Sequence, residues 1–225
     1  MAENNTNNSN SSSKPIILFD FWGTLAQQGV YSPVKQIKAI IKPNIPFKEY
    51  IKRMQNSLLT KNFESMREAF EEVYEEFNID STPKKLDDLV GMWNKNWLLA
   101  TLFDDTKKAL EELKQTHKIV LIANSDKASI NNVLNKFELT NLFDEIFLSC
   151  NLGVIKSDPE FLEKVVELLG TTKENVTVVG DSMQSDIYPA KDQQIKAVLV
   201  DRKGNREFTP KVTTLKNLKI ALEDN

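Results

Sequence analysis

The chain has 225 residues, 40% of them apolar and 27% charged, with a formal net charge of −3. This suits a soluble globular protein with one core domain and a smaller insertion, and the acidic balance argues against a nucleic-acid partner. No stretch reaches the roughly 18 apolar residues of a membrane span and the N-terminus lacks an apolar signal core, so no membrane partner is expected and the expected location is the cytoplasm.

Met1 to Lys14, M-A-E-N-N-T-N-N-S-N-S-S-S-K, has almost nothing to bury and is expected to be a disordered tail. The next stretch reads P-I-I-L-F-D-F-W-G-T-L, Pro15 to Leu25. Its apolar run Ile16 to Phe19, set off by Pro15 and Gly23, has the length of a buried strand. Asp20 at the strand's C-terminal end, followed by a Gly-Thr turn, stands where open α/β sheets keep their ligands. An Asp there can serve as a nucleophile or as a ligand to a hard cation.

From Tyr31 to about Leu102 the pattern is helical, with no strand expected. Val34, Ile37, Ile40 and Ile41 share one helical face, and Pro43 and Pro46 precede a second helix carrying Tyr50, Ile51, Met54 and Leu58. A third runs from about Ser65 with Met66, Phe70, Val73 and Phe77. Ser81 or Thr82 caps a fourth, with Pro83 at its first position and Leu86, Leu89, Val90, Trp93 and Trp97 along it. Both Trp residues read as the core of this helical region.

Strands and helices then alternate. Asp104 or Asp105 is expected to cap a helix through Ala109, Leu110 and Leu113, and the next strand is Ile119 to about Ala123. His117, the only histidine, reads as solvated between them. A helix through Ile130, Val133, Leu134 and Phe137 leads to a strand at Glu145 to Leu148. Cys150, the only cysteine, reads as a buried inert thiol. Asp158 is expected to cap a helix that starts at Pro159 and ends at Gly170. Strands at Val176–Val179 and Ala197–Val200 follow, with a helix between them from around Ser185 and a last helix over Thr214 to Leu222. Apolar strands alternating with helices predict a parallel sheet covered on both faces. If the strand ends converge, Asp20, Asp181 and Asp186 form a carboxylate cluster. Such close carboxylates repel one another unless a cation sits among them, and Mg2+ suits their hard oxygens.

Four segments, D-F-W-G-T-L, L-I-A-N-S-D, V-I-K-S-D-P and V-V-G-D-S-M-Q-S-D, together resemble in order the four motifs of the haloacid dehalogenase (HAD) superfamily. The resemblance covers most of Ile16–Gln28 and Asp104–Arg202. It implies a HAD-like, Rossmann-like doubly wound α/β sheet with an all-helical cap inserted after the first motif. The corresponding division is a tail at 1–14, a core at 15–28 and 103–225, and a cap at 29–102. The implied activity is Mg2+-dependent hydrolysis of a small phosphorylated molecule through an aspartyl-phosphate on Asp20, with Lys156 neutralising charge at the phosphoryl group. The implied metal ligands are Asp20, the backbone carbonyl of Trp22, Asp181 and Asp186. The implied phosphate ligands are Thr24, Asn124, Ser125 and Lys156.

The sequence departs from the family pattern at informative positions. Family phosphatases carry an acid/base Asp two residues after the nucleophile; here Trp22 stands there, and an indole is no acid or base near neutral pH. Ala123 takes the hydroxyl position of the second motif, Ser157 follows Lys156 where Pro is common, and Pro189 sits in the helix after the fourth motif. Arg53 and Arg67 in the helical region are candidates to meet an anionic substrate. Two other readings stand beside the phosphatase. A metal-independent 2-haloacid dehalogenase suits the aromatic Trp22 but not Asp181. A non-catalytic HAD-fold binding module suits Trp22 and Ala123.

Overall fold

The computed structural model describes residues 14–223. All but the last residue of the tail expected at 1–14 lies outside the described residues. Strand β1 (Ile16–Asp20) is buried along its whole length, as a strand covered on both faces must be. A tight turn leads to the two-residue strand β2 (Ala26–Gln27). Four helices follow: α1 (Pro33–Ile41), α2 (Phe47–Leu59), α3 (Met66–Glu76) and α4 (Pro83–Leu98). Ser65 caps α3 by accepting from the Glu68 N–H, and Thr82 caps α4 by accepting from the Lys85 N–H. Strand β3 (Thr101–Leu102) then pairs antiparallel with β2. The chain therefore enters and leaves the helical unit through one short ribbon. No strand was legible between Tyr31 and Leu102, because two residues carry no alternation to detect.

The rest of the chain supplies α5 (Thr106–Lys114), β4 (Lys118–Ala123), α6 (Lys127–Lys136), β5 (Glu145–Leu148), α7 (Ser149–Leu152), α8 (Pro159–Leu168), β6 (Val176–Gly180), α9 (Tyr188–Asp192), β7 (Lys196–Val200), β8 (Lys211–Val212) and α10 (Leu218–Glu223). The strands β1 and β4 to β8 make one six-stranded parallel sheet in the order β5-β4-β1-β6-β7-β8. The edge strand β8 adds a sixth strand to the five read from the sequence. The order runs outward from β1 through β4 to β5, then crosses back to β6. The C-terminal ends of β1, β4 and β6 therefore flank a topological switch point, where such sheets open a crevice.

Alternate strand residues feed two cores. Ile17, Phe19, Leu121, Val179 and Val198 pack with Leu110 of α5, Val133 of α6 and Leu218 of α10. Leu18, Val120, Val178 and Leu199 pack with Phe161 and Val165 of α8. The helical unit has a third core of its own, built from Ile37, Tyr50, Met54, Phe70, Leu89 and Trp93 among others. Trp97 departs from expectation: it packs against the main core rather than the helical one, since the last turn of α4 runs down to β3. Two expected caps also differ. Asp105 and Asp158 occupy N-cap positions, but neither side chain bonds its helix. Asp158 instead pairs with Lys52 of α2 at 3.0 Å, and Asp105 is spent elsewhere. Among the described residues no helix is long and apolar enough to cross a membrane.

Candidate active site

The turn after β1 is closed by backbone bonds from the Leu25 and Ala26 N–H groups to the Phe21 carbonyl and from the Gly23 N–H to the Ala26 carbonyl. Gly23 has φ +87°, the left-handed region that favours glycine. The turn buries Thr24 completely and aims its hydroxyl at Asp20, donating to Oδ2 at 2.8 Å. Thr24, expected at a phosphate oxygen, thus spends its donor on the carboxylate beside it.

Asp181 and Asp186 follow β6, the strand hydrogen-bonded to β1, with Phe19 level with Val179. Asp186 lies in a π turn, Met183–Ile187, which Ser182 caps by accepting from the Ser185 N–H. Asp186 is therefore free to turn inward. Its Oδ2 accepts from the Ser182 N–H at 2.9 Å, and its Oδ1 from Lys156 Nζ at 2.6 Å. Gly180 makes room for it, since a Cβ built there would stand 2.3 Å from Asp186 Oδ2. Pro189 falls in the first turn of α9, immediately after the π turn.

Asp20, Asp181 and Asp186 each offer an oxygen within 4.8 Å of the others. Lys156 arrives from the loop before α8, 136 residues after Asp20, and its Nζ reaches Asp20 Oδ1 at 2.5 Å. Lys156 is 3% exposed, Asp20 6% and Asp186 1%, whereas Asp181 is half-buried and faces the crevice. Burial pushes the Asp20 carboxyl up to about 7; the nearby Asp186 and Asp181 charges add to the rise, while Lys156 opposes it. Burial and then the Asp186 charge push Asp181 up to about 6, against Lys156 and Arg206. Burial disfavours the Lys156 ammonium, but Asp186 and Asp20 hold it above the usual lysine range. Three carboxylates and one ammonium leave two formal negative charges, an all-oxygen donor set that fits a divalent hard cation.

The other expected residues divide. Asn124, at the end of β4, accepts from the Lys156 N–H through Oδ1 at 2.8 Å and so fixes that loop. Ser125 is 2% exposed, and its N–H donates to Ser149 Oγ. Trp22 is half-buried, edge-on to Phe21 with ring centroids 4.9 Å apart. With Gly23, Gln27, Tyr31 and Asp181 it lines a crevice of about 540 Å3. Arg53 and Arg67 are taken up within the helical unit, Arg53 by Glu76 and Glu49 and Arg67 by Asp87. Burial pushes the Cys150 thiol up to about 11, which suits an inert residue. His117 pairs through Nδ1 with the Thr116 hydroxyl on an exposed surface.

Polar links tie the helical unit to the core, and Lys136 of α6 donates to the Leu98 carbonyl at the end of α4 at 2.7 Å. Trp93 Nε1 donates to Asp126 Oδ2 at 2.8 Å, Lys52 pairs with Asp158, and Asn62 Nδ2 donates to the Cys150 carbonyl at 3.2 Å. Asp126 is also the N-cap of α6, accepting from the Ser129 N–H.

Two residues not singled out in the sequence, Arg206 and Arg202, border the site. Arg206 donates to the Asp181 carbonyl. Arg202 donates to the Thr24 carbonyl and to Asp105. Burial opposes the Asp105 charge, yet Arg202, Thr214 and Leu215 hold its carboxyl below the usual range. The available signal was position: Arg202 follows β7 at the same C-terminal edge of the sheet as Asp20 and Asp181.

Residues 17–200 match the model of a family described as haloacid dehalogenase-like hydrolase. Among curated proteins, the chain is similar to N-acylneuraminate-9-phosphatase of Mus musculus, 26% identical over 105 residues, 47% of this chain and 42% of that protein. It is also similar to pyrophosphatase PpaX of Halalkalibacterium halodurans, 31% identical over 96 residues, 43% of each chain. The matches thus span less than half the length of these relatives. Among solved structures, L-2-haloacid dehalogenase from Xanthobacter autotrophicus superposes with a TM-score of 0.62 at 18% identity, covering 93% of this chain and 98% of that one, a likeness of fold.

Proposed function

The chain belongs to the haloacid dehalogenase-like hydrolase family, and from that premise we propose that it is a Mg2+-dependent phosphatase of a small phosphorylated molecule. The observation that carries this reading is the convergence of Asp20, Asp181 and Asp186 around the Lys156 ammonium. A metal-independent dehalogenase has no use for Asp181 beside the two buried carboxylates, and two unbalanced negative charges are costly without a cation. The phosphatase relatives point the same way.

Asp20 is the nucleophile. Its carboxylate attacks phosphorus, the P–O bond to the leaving group breaks, and the phosphoryl group is carried on Asp20 until water releases it. Lys156 holds Oδ1 and Thr24 holds Oδ2, so both oxygens are oriented. Lys156 also places positive charge where the phosphoryl oxygens gain negative charge. Asp20, Asp181, Asp186 and the Trp22 carbonyl would hold Mg2+, which when bound supplies further neutralisation of the phosphoryl charge. Asn124 keeps Lys156 in place through its backbone. Ser125 belongs to the same strand end and completes the phosphate pocket. The helical unit over residues 29–102 acts as the cap, and Trp22, Gln27 and Tyr31 at the crevice contact the substrate's leaving group. Trp22 offers no proton, so the enzyme favours leaving groups that depart as stable anions.

The test is a screen of phosphorylated metabolites with and without Mg2+, alongside 2-haloacids. Phosphate release that requires Mg2+ and vanishes in Asp20→Asn supports the reading. Halide release without metal replaces it with the dehalogenase. Silence on every substrate, with Mg2+ still bound, leaves a binding module.

A further inference from the structure

The geometry points to Arg202 as a positioning residue for the nucleophile, one that holds the Thr24 turn so that the Thr24 hydroxyl stays on Asp20. The inference rests on the phosphatase reading above. The path has two hydrogen bonds. Arg202 Nη2 donates to the Thr24 carbonyl at 2.6 Å, and Thr24 Oγ1 donates to Asp20 Oδ2 at 2.8 Å. Arg202 is itself clamped: Nη1 donates to Asp105 Oδ2 at 2.7 Å, and the guanidinium lies over the Phe103 ring, 4.1 Å from Cζ to centroid. Asp105 Oδ2 also accepts from Thr214 Oγ1 at 2.6 Å and from the Leu215 N–H at 2.8 Å. The next carbonyl of the turn, Leu25, accepts from Thr106 Oγ1 at 2.7 Å. Two consecutive carbonyls of the turn are thus held, Thr24 by Arg202 after β7 and Leu25 by Thr106 at the start of α5, and Asp105 braces Arg202 against the segment before α10.

A guanidinium that served only to weld the end of β7 to the start of α5 would meet Asp105 with its parallel two-bond fork. Here the fork is split. Asp105 Oδ1 and Arg202 Nε are both buried without a hydrogen-bond partner. Such unmade bonds are costly, and what they accompany is the contact to the Thr24 carbonyl. The result reaches the reacting atoms. Lys156 holds one oxygen of Asp20 and Thr24 the other, so freeing Thr24 lets the carboxylate rotate about its last bond and misdirects the attacking oxygen. Small misplacements of this kind have large rate effects.

The experiment compares wild type, Arg202→Met, Arg202→Lys, Thr24→Val and the double variant Arg202→Met/Thr24→Val. It measures kcat and KM for p-nitrophenyl phosphate, Mg2+ affinity by calorimetry, and Tm. Arg202→Met should lower kcat about tenfold or more, with KM and Mg2+ affinity changed by no more than about twofold. Arg202→Lys should recover only part of the loss, because one ammonium cannot serve both the carbonyl and Asp105. The double variant should be no slower than Thr24→Val alone. Losses that multiply in the double variant, or a kcat indifferent to Arg202→Met, overturn the inference. Should Arg202→Met not fold, Asp105→Asn, which keeps the shape and removes the charge that clamps Arg202, enters the same cycle with Thr24→Val. A wild type with neither turnover nor a Mg2+-dependent trifluoroberyllate adduct overturns the phosphatase reading and this inference with it. Normal wild-type turnover with an indifferent Arg202→Met overturns this inference alone.

Discussion

Gly23 and the Asp181 carboxylate lie so close that a Cβ built on Gly23 would stand 2.3 Å from Asp181 Oδ2 and 2.6 Å from its Cγ. Gly23 also has φ +87°, so a side chain there is opposed by both the backbone and the neighbour. Gly23→Ala should push Asp181 out of the cluster and weaken Mg2+ binding by roughly tenfold or more. Gly91→Ala is the control: a Cβ at Gly91, inside α4, meets nothing within 4 Å. It should raise stability by up to about 1 kcal/mol and leave Mg2+ binding unchanged. Calorimetry and thermal melts of both variants decide.

The raised carboxyls predict how pH and cation binding are linked. Asp20 sits at about 7 and Asp181 at about 6 in the folded chain, both above the ordinary 3.8 of an unfolded Asp. Between these values the folded state holds protons that the unfolded chain has released. Without a divalent cation, stability should therefore fall as pH rises from 3.8 through about 7. Mg2+ takes the ionised carboxylates and must displace those protons, so its stabilising effect should grow with pH. Melting curves with Mg2+ and with chelator, from acid to neutral pH and above, test this. A Mg2+ shift that shrinks toward higher pH would contradict it.

Trp22 predicts a leaving-group preference. Nitrophenyl phosphate and acyl phosphates should be turned over, because their leaving groups need no proton. Sugar phosphates should be slower by roughly 10²–10⁴, the usual worth of an acid/base group. Trp22→Asp should gain more on a sugar phosphate than on nitrophenyl phosphate, provided the smaller side chain leaves no damaging void beside Phe21. A wild type that already hydrolyses a sugar phosphate at an ordinary enzymatic rate would show that another group donates the proton.

Lys156 neutralises two buried carboxylates with a side chain only 3% exposed. Lys156→Met should cost about 3–5 kcal/mol when no cation is present, because it leaves those charges uncompensated. Part of the loss should return on adding Mg2+. Chemical denaturation with and without Mg2+ reads this directly, and an equal loss in both conditions would argue against a shared cation.

The links between the helical unit and the core should differ in weight. Trp93→Phe removes the bond to Asp126 and should cost about 1 kcal/mol. Asp126→Ala removes that bond and the α6 cap, and should cost about 1–2 kcal/mol more than Lys52→Ala. Lys52 is 63% exposed in its side chain, so its pair with Asp158 should contribute under about 1 kcal/mol. Denaturation midpoints rank the three.

Elements whose signal is local are legible in the order of the amino acids. β1, β4, β6 and β7 are legible because strands buried on both faces appear as unbroken apolar runs, and the helices because their apolar residues recur every three to four positions. Asp20, Lys156, Asp181 and Asp186 stand out because Asp20 ends β1, Asp181 follows β6, and all four fall within the four quoted motifs. Features that depend on distant parts of the chain meeting emerge only in the folded molecule. The strands β3 and β8 are two residues each and exist only because β2 and β7 lie beside them. Asp105 carries the local marks of a cap, but Arg202, 97 residues later, and Thr214 take its carboxylate instead. Thr24, expected from its motif to meet a phosphate oxygen, is buried in the fold with Asp20 as its acceptor. Trp97 shares a helix with Trp93 yet packs into a different core. Periodicity reports which face of an element is apolar, whereas the partner of a buried polar group is set by whichever donor or acceptor the folded chain brings within bonding distance.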